Sequence, residues 1–215
     1  MFGKKKKHHT MELYSVAEEE AITQYIEETF GAIDSVFHEI VSMDVHIDIN
    51  AIFPNEKNDH YTLITTGMGA HHMNVPKDFR KYGMDRIELL ITLPSSWELN
   101  NTDEQWYWPI RWLKELARLP IANNTWLGYG HTVQTGGPVA ENAHFCSFML
   151  YPPLIIAEDT EFCKLPNGER IVIYQLIPLY ENEMEYKIEN GAEALEEHFP
   201  AGYNGVVDIN RPAFI

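Results

Sequence analysis

The sequence predicts an α+β fold, and three observations carry that prediction. Residues 45–52 alternate apolar and polar with a period of two, and a turn rich in Pro, Asn and Asp leads to a second apolar run at 61–68. That is the pattern of an antiparallel strand pair. Asn167-Gly168 between two further apolar runs marks another hairpin, whose turn asks for positive φ at both residues. The stretches 15–31 and 106–120 instead space their apolar residues as amphipathic helices do.

Taken in order, the first helix starts at Ser15-Val16-Ala17-Glu18, a capping box in which the Ser15 hydroxyl meets a free amide and Glu18 reaches back to the cap. Val16, Ile22, Ile26 and Phe30 are its expected core positions with Tyr25 beside them, and Gly31 is its expected stop. No Lys or Arg occurs between Glu12 and Glu39, so the solvent face of this helix must be negative. The strand pair 45–52 and 61–68 is expected to keep one face in water. Gly69 to Met84, with His71, His72, Pro76 and Gly83, reads as a loop long enough to be functional.

Arg86 to Leu93 is an apolar strand, in which Glu88 is expected to point to a solvated face or to pair with Arg86, two positions away on the same side. A polar linker over 95–102 leads to Asp103, a candidate cap. Pro109 is tolerable only near a first turn, which predicts a regular helix from about Trp108, and Pro120 is expected to end it. Ile110, Leu113, Leu116 and Ala117 should face the core, with Arg111, Lys114, Glu115 and Arg118 facing water. Further strands are expected within 127–135, 143–150 and 155–156 and on either side of 165–169, with 170–178 a β-branched central strand. Glu181 to Phe199 should form two short helices across Gly191, with seven acidic residues against Lys187 alone.

With 215 residues the chain can bury about 70% of its unfolded surface without disulfides. Hydrophobic residues at 45% and charged residues at 22% are the proportions of a folded globular protein. No apolar run approaches the roughly 20 residues of a membrane helix. Met1 to His9 opens with charge, as a signal peptide does, yet no apolar stretch follows, which predicts a cytoplasmic protein behind a disordered basic tail over residues 1–10. Cys146 and Cys163 lack metal or redox spacing and are expected as buried free thiols.

Charge is the most directional compositional signal. The formal net charge is −16, and because Lys4 to Lys7 supply four of the sixteen basic residues, the rest of the chain sets twelve against 32 acidic ones. A field of that sign repels nucleic acid and anionic membrane and speeds encounter with cationic partners.

Tests for reaction machinery return little. No GxSxG elbow occurs, Gly128-Tyr129-Gly130-His131 lacks the third Gly and the helix of a phosphate loop, and HExxH is missing. His71, His72, His131 and His144 fall in or near loops and are the candidates for an alternative reading, a metal-assisted hydrolase, though no pair has the usual ligand spacing. Trp106, Trp108 and Trp112 enter an amphipathic helix, where core packing is the commoner use than stacking on sugars or bases. The basic tail is the one cationic cluster visible in the sequence, which argues against nucleic acid.

The order Arg86 to Pro94, Trp108-Pro109 with Leu113, Leu116-Ala117-Arg118, Asn124-Thr125-Trp126-Leu127-Gly128 and Gly130-His131, then Leu150, Pro152-Pro153 and Val172 to Leu179, resembles the suppressor of fused domain family over roughly residues 40 to 200. The resemblance implies a mixed, largely antiparallel sheet flanked by helices in a single domain, 11–215, with no catalytic residue and no cofactor or metal. Animal members have a second domain that takes part in binding Gli transcription factors, and this chain is expected to end before it. Short bacterial members are similar to immunity proteins that neutralise a toxin by binding it.

Joined to the charge, this predicts a non-enzymatic protein-binding domain, an antitoxin for a basic toxin. The expected contact residues are Glu18, Glu19, Glu27 and Glu28 on one helix and Glu181, Glu183, Glu185 and Glu189 on another. A structural or assembly subunit is the third reading.

Overall fold

The computed structural model describes residues 11–42, 44–156 and 162–215, and the tail expected over 1–10 lies outside them. The capping box forms as expected and starts α1 (Val16–Thr29), with Phe30 capping its end and Gly31 following at φ 124°. Then come β1 (Ser35–Phe37), β2 (Asp48–Ile52), β3 (His60–Thr66), the single turn α2 (Lys77–Arg80), β4 (Ile87–Pro94), α3 (Glu104–Asn123), β5 (Thr132–Gln134), β6 (Ser147–Tyr151), β7 (Phe162–Lys164), β8 (Arg170–Leu179), α4 (Glu181–Asn190) and α5 (Ala192–Glu196).

The eight strands make one sheet in the order β1-β2-β3-β4-β8-β6-β5, with β7 paired to the start of β8. Every pairing is antiparallel except β4 with β8, so the sheet is mixed and largely antiparallel, an α+β fold. The parallel pair sits at the centre, where strands are covered on both sides and read as continuous apolar runs.

Alternation along β4 and β8 decides what lies on each face. Leu89, Ile91 and Leu93 of β4 and Tyr174 and Leu176 of β8 join the core under α3, with Trp108, Ile110, Leu113, Leu116 and Ala117. Leu90, Ile171 and Ile173 turn to the opposite face and pack under Ile22, Ile26 and Phe30 of the α1 region. Farther along that second face, Ile177 and Leu179 pack with Met149, Ala192 and Leu195. The two acidic helical regions therefore cover one side of the sheet and α3 the other.

Several expectations change. β2 and β3 have no wet face, because helices cover both sides of the sheet and a polar position there, such as Asn50 or Thr65, is buried. Val16 is 72% exposed, since it sits in the first turn ahead of the buried Ile22–Ile26 stripe. Helix α3 begins at Glu104 rather than near Trp108 and carries both Pro109 and Pro120 inside it. Pro109 has no N–H for the Gln105 carbonyl, and Asn142 Nδ2 donates to that carbonyl instead at 3.2 Å. Past Pro120 the helix runs to Asn123 and stops where Asn124 adopts φ 48°. Asp103 stands at the cap position without a side-chain bond to it.

On the outer side of α3, Arg111 pairs with Glu104, and Arg118 with Glu39 and Asp44, so neither is simply solvated. The hairpin at Asn167-Gly168 forms, but only Gly168 takes positive φ, at 88°. A five-residue connection closed by Leu165 N–H to the Glu169 carbonyl needs one left-handed residue where a two-residue turn needs two. Residues 155–156 are a turn rather than a strand. The Gly69 to Met84 loop gains only one turn of 3₁₀ helix and α2. Cys163 is buried and Cys146 half-buried, both free. Trp97 and Trp108 are buried edge to face, 5.8 Å apart, while Trp106, Trp112 and Trp126 pack half-buried around the same core.

Where β8 parts from β4 after Leu90 and Gln175, the C-terminal segment takes its place, Val206 bridging Thr92 in parallel. Gln175 Nε2 donates to Thr92 Oγ1 (2.9 Å) and to the Asn204 carbonyl (3.3 Å), its Oε1 accepts from Leu154 N–H (2.8 Å), and Thr92 Oγ1 donates to the Gly205 carbonyl (2.9 Å). Gly205 lies at φ 77°, and a Cβ there would meet Gln175 Nε2 at 2.2 Å. Gly205→Ala is expected to cost about 2 kcal/mol through the left-handed backbone and the displaced amide together. An unchanged urea midpoint for this variant would show that the wedge is not tightly packed.

Candidate functional site

Glu88 is the one acidic residue in β4 and is fully buried. It lies in the row with Leu90 and Thr92 that faces the α1 side, so the expected solvated face is in fact closed by the N-terminal segment. Its Oε1 accepts from Tyr14 Oη (2.6 Å), Gly67 N–H (2.9 Å) and Gly69 N–H (3.0 Å), and its Oε2 from Thr65 Oγ1 (2.6 Å). Burial pushes the Glu88 carboxyl up to about 7, and the four donors pull the other way. Burial, and then the Glu88 charge, hold the Tyr14 hydroxyl well above its usual range.

Arg86 does not pair with Glu88. Its Nε donates to the Gly69 carbonyl (2.6 Å), and Nη1 donates to Glu18 (2.7 Å) and Glu169 (2.6 Å). Burial alone would raise Glu18, but hydrogen bonds from Ser15 and Arg86 outweigh it and bring its carboxyl down to about 2. Glu18 thus caps α1 and anchors it to β4, and it is not a free surface charge. Glu183 is fully buried: Arg211 Nη1 and Nη2 reach its two oxygens at 2.5 and 2.7 Å, while Tyr180 N–H (2.8 Å) and Phe214 N–H (2.7 Å) also donate to it. A carboxylate so enclosed cannot touch a partner, which corrects its place among the expected contacts.

The remaining six, Glu19, Glu27, Glu28, Glu181, Glu185 and Glu189, are exposed, and Glu20 joins them on α1. Lys187 of α4 is half-buried and lies by a groove lined by Leu119, Trp126, His131 and Val133. Reading the sequence alone misses Tyr14, Thr65 and Arg211 as the partners of the two buried carboxylates. For Glu88 the signal was its isolation in an apolar strand; for Glu183 the helical pattern held none, because its partner comes from 28 residues later.

The four candidate histidines do not gather. His71 Nδ1 meets Glu12 (2.8 Å), His72 Nδ1 meets Asp85 (2.8 Å), His131 stands edge-on against Trp126 with ring centres 4.3 Å apart, and His144 is exposed near Cys146. Among the described residues no three of His, Cys, Asp and Glu are placed to hold one metal ion. No helix among them is long and apolar enough to cross a membrane.

The sequence profile of suppressor of fused protein matches residues 43–212, which includes the whole sheet from β2 to β8 and the Arg211 anchor. The chain belongs to the suppressor of fused family. An uncharacterized protein of Ureaplasma parvum is 24% identical over 205 residues, spanning 94% of this chain and 98% of that one. The fold is that of a suppressor of fused homologue from Neisseria gonorrhoeae, with TM-score 0.65 and 19% identity over 94% of this chain and 97% of the other. It is also similar to a chain in the Sufu–Fu complex (TM-score 0.68, 11% identity, 94% and 93% covered) and to Drosophila Suppressor of Fused (TM-score 0.64, 10% identity), of which it spans half.

Proposed function

We propose that this suppressor of fused domain is a non-enzymatic, cytoplasmic binding protein, and more narrowly an immunity protein that sequesters a basic toxin through its acidic helices. The observation that carries the reading is the outer face of α1. Glu19, Glu20, Glu27 and Glu28 are exposed on a helix with no basic residue, while Glu18, the one carboxylate there with an internal task, is already paired. Glu181, Glu185 and Glu189 of α4 add charge of the same sign on the same side of the sheet. Seven exposed carboxylates steer a cationic surface into contact, with nearby side chains setting the affinity. A relative of the same fold has been solved as the Sufu–Fu complex, which supports association with protein as the general mode.

The test is co-expression with each basic protein that neighbouring genes are found to encode, scored by growth rescue and by binding of the purified pair. Glu19→Gln, Glu20→Gln, Glu27→Gln and Glu28→Gln combined should leave the stability read from urea unfolding within about 0.5 kcal/mol, because these side chains are exposed, while slowing association at least tenfold, on the order of what electrostatic steering supplies. Rescue and association rates that ignore both the four substitutions and added salt would refute the acidic-face reading.

A further inference from the structure

Of the twelve basic residues after His9, Arg86, Arg111, Arg118 and Arg211 are held in ion pairs with carboxylates. Five of the others gather in one place. Lys77 and Arg80 lie on α2, Lys81 follows directly, and Lys164 and Arg170 face each other as register partners across the β7–β8 hairpin. Among the described residues, none of these five has a carboxylate within ion-pair distance. Lys77, Arg80, Lys81 and Lys164 are exposed and Arg170 is half-buried. The neighbouring acids are mostly engaged: Asp85 meets His72, Glu169 meets Arg86 and Asn167, and Asp78 stays exposed on α2.

Two cavities meet at this patch and share Arg170. One of about 550 Å³ is lined by Arg80, Lys81, Tyr82, Gly83 and Arg170, with Asp85 and Glu169 at its wall. The other, about 450 Å³, is apolar and aromatic, lined by Met84, Tyr129, Tyr151, Phe162 and Val172. The guanidinium between them is oriented: Arg170 Nε donates to the Gly83 carbonyl at 3.2 Å, and its carbon lies 5.0 Å from the Phe162 ring centre. Phe79 and Tyr82, 45% and 46% exposed, flank the cations. Arg and exposed aromatics together are the composition of an interface centre rather than of a solvated loop.

We propose that these adjoining cavities bind an acidic segment of a protein partner, its carboxylates on Arg80, Lys81 and Arg170 and one apolar side chain in the aromatic cavity. The inference goes beyond the acidic-face reading and does not rest on it, because the sign of charge is opposite. Protein is favoured over nucleic acid by the rest of the molecule. A net charge of −16 repels a long polyanion, whereas two or three carboxylates on a short segment suffice to engage three cations locally. The site is a cationic cluster assembled from two segments, since Gly83 and Arg170 are 87 residues apart and the β4–β8 pairing brings α2 and the hairpin together.

A phage library of random linear peptides selected on the full chain tests this directly. Enriched sequences should carry two or more Asp or Glu beside an aromatic or branched apolar residue. The synthetic consensus, followed by fluorescence anisotropy, should bind about tenfold more weakly to Arg170→Gln and to the double variant Arg80→Gln/Lys81→Gln, a typical loss for charge-assisted hydrogen bonds. The double variant alters exposed side chains, and the one internal bond it removes, Arg80 Nε to the Val75 carbonyl (2.9 Å), lies outside the hairpin, so it reads the site even if Arg170→Gln loosens the hairpin. Enrichment of basic or purely apolar peptides would overturn the proposal, as would equal binding by the double variant. Tighter binding of a single-stranded oligothymidylate, lost in the same variants, would overturn it too and assign the surface to nucleic acid.

Discussion

Replacing Glu88 by Ala is expected to cost on the order of 3–5 kcal/mol of folding stability, read from urea unfolding of the purified chain. The magnitude follows from what is left behind. Gly67 N–H and Gly69 N–H cannot turn away, and each buried donor without an acceptor costs about 1–3 kcal/mol. Tyr14 and Thr65 lose their acceptor as well, and a cavity opens beneath α1. Glu88→Gln should cost only about 1 kcal/mol, because the amide oxygen can serve the three donors at Oε1 while its NH₂ donates to Thr65 Oγ1 once that hydroxyl turns. If Ala and Gln prove equally mild, the hub does not hold the N-terminal segment to β4.

The same residue gives a pH signature with a definite sign. Glu88 titrates near 7 in the folded protein against 4.5 as its ordinary value, burial being the main cause. A raised carboxyl pKa means stability that is complete below about 4.5 and is lost as pH rises toward 7, since the unfolded chain releases its proton first. Glu18 runs the other way: lowered to about 2, it adds stability above 4.5 that is lost as pH falls toward 2. The difference in urea midpoint between wild type and Glu88→Gln should therefore shift against wild type from pH 4.5 to 7. Parallel profiles across that window would mean that Glu88 does not change its proton there.

How much of this was legible depended on whether the cause was local. The Ser15–Glu18 capping box, the β2–β3 pair, the Gly168 turn and the break at Gly191 are each settled by a few adjacent residues, and each stands where the sequence put it. The errors fall where a distant segment intervenes. Glu88 reads as solvent-facing until Tyr14, 74 residues earlier, covers it. Pro109 reads as a helix start until Asn142 satisfies the carbonyl it abandons. Of the acidic residues expected to meet a partner, Glu18 and Glu183 are claimed by Arg86 and Arg211, because a helix pattern shows which side a carboxylate takes but not what waits there. The basic patch is the same lesson with opposite sign, being assembled from two segments that are each unremarkable in the linear order.

The second large effect is expected at Arg211. Its guanidinium is 3.8 Å from the Phe214 ring centre and 4.8 Å from that of Tyr180, donates to the Pro178 carbonyl at 2.8 Å, and holds Glu183 through both terminal nitrogens. Arg211→Met keeps much of the apolar stem against those rings but leaves a fully buried carboxylate with only the Tyr180 and Phe214 amides for company. Removing one partner of a buried pair costs about 3–5 kcal/mol, because the remaining charge has lost water and gained nothing. Adding Glu183→Gln to Arg211→Met should return part of that loss, and a double-mutant cycle in urea gives the coupling, expected above 1 kcal/mol for side chains in direct contact (about 0.5–3 in general). Additive losses would mean that the two residues stabilise the chain independently. Since Glu183 sits in the first turn of α4, the pair also decides how Glu181, Glu185 and Glu189 are presented. Arg211→Met should therefore loosen the acidic face of α4 while leaving that of α1 unchanged, which faster amide exchange over residues 180–190 and around Phe214, but not over 16–29, would show.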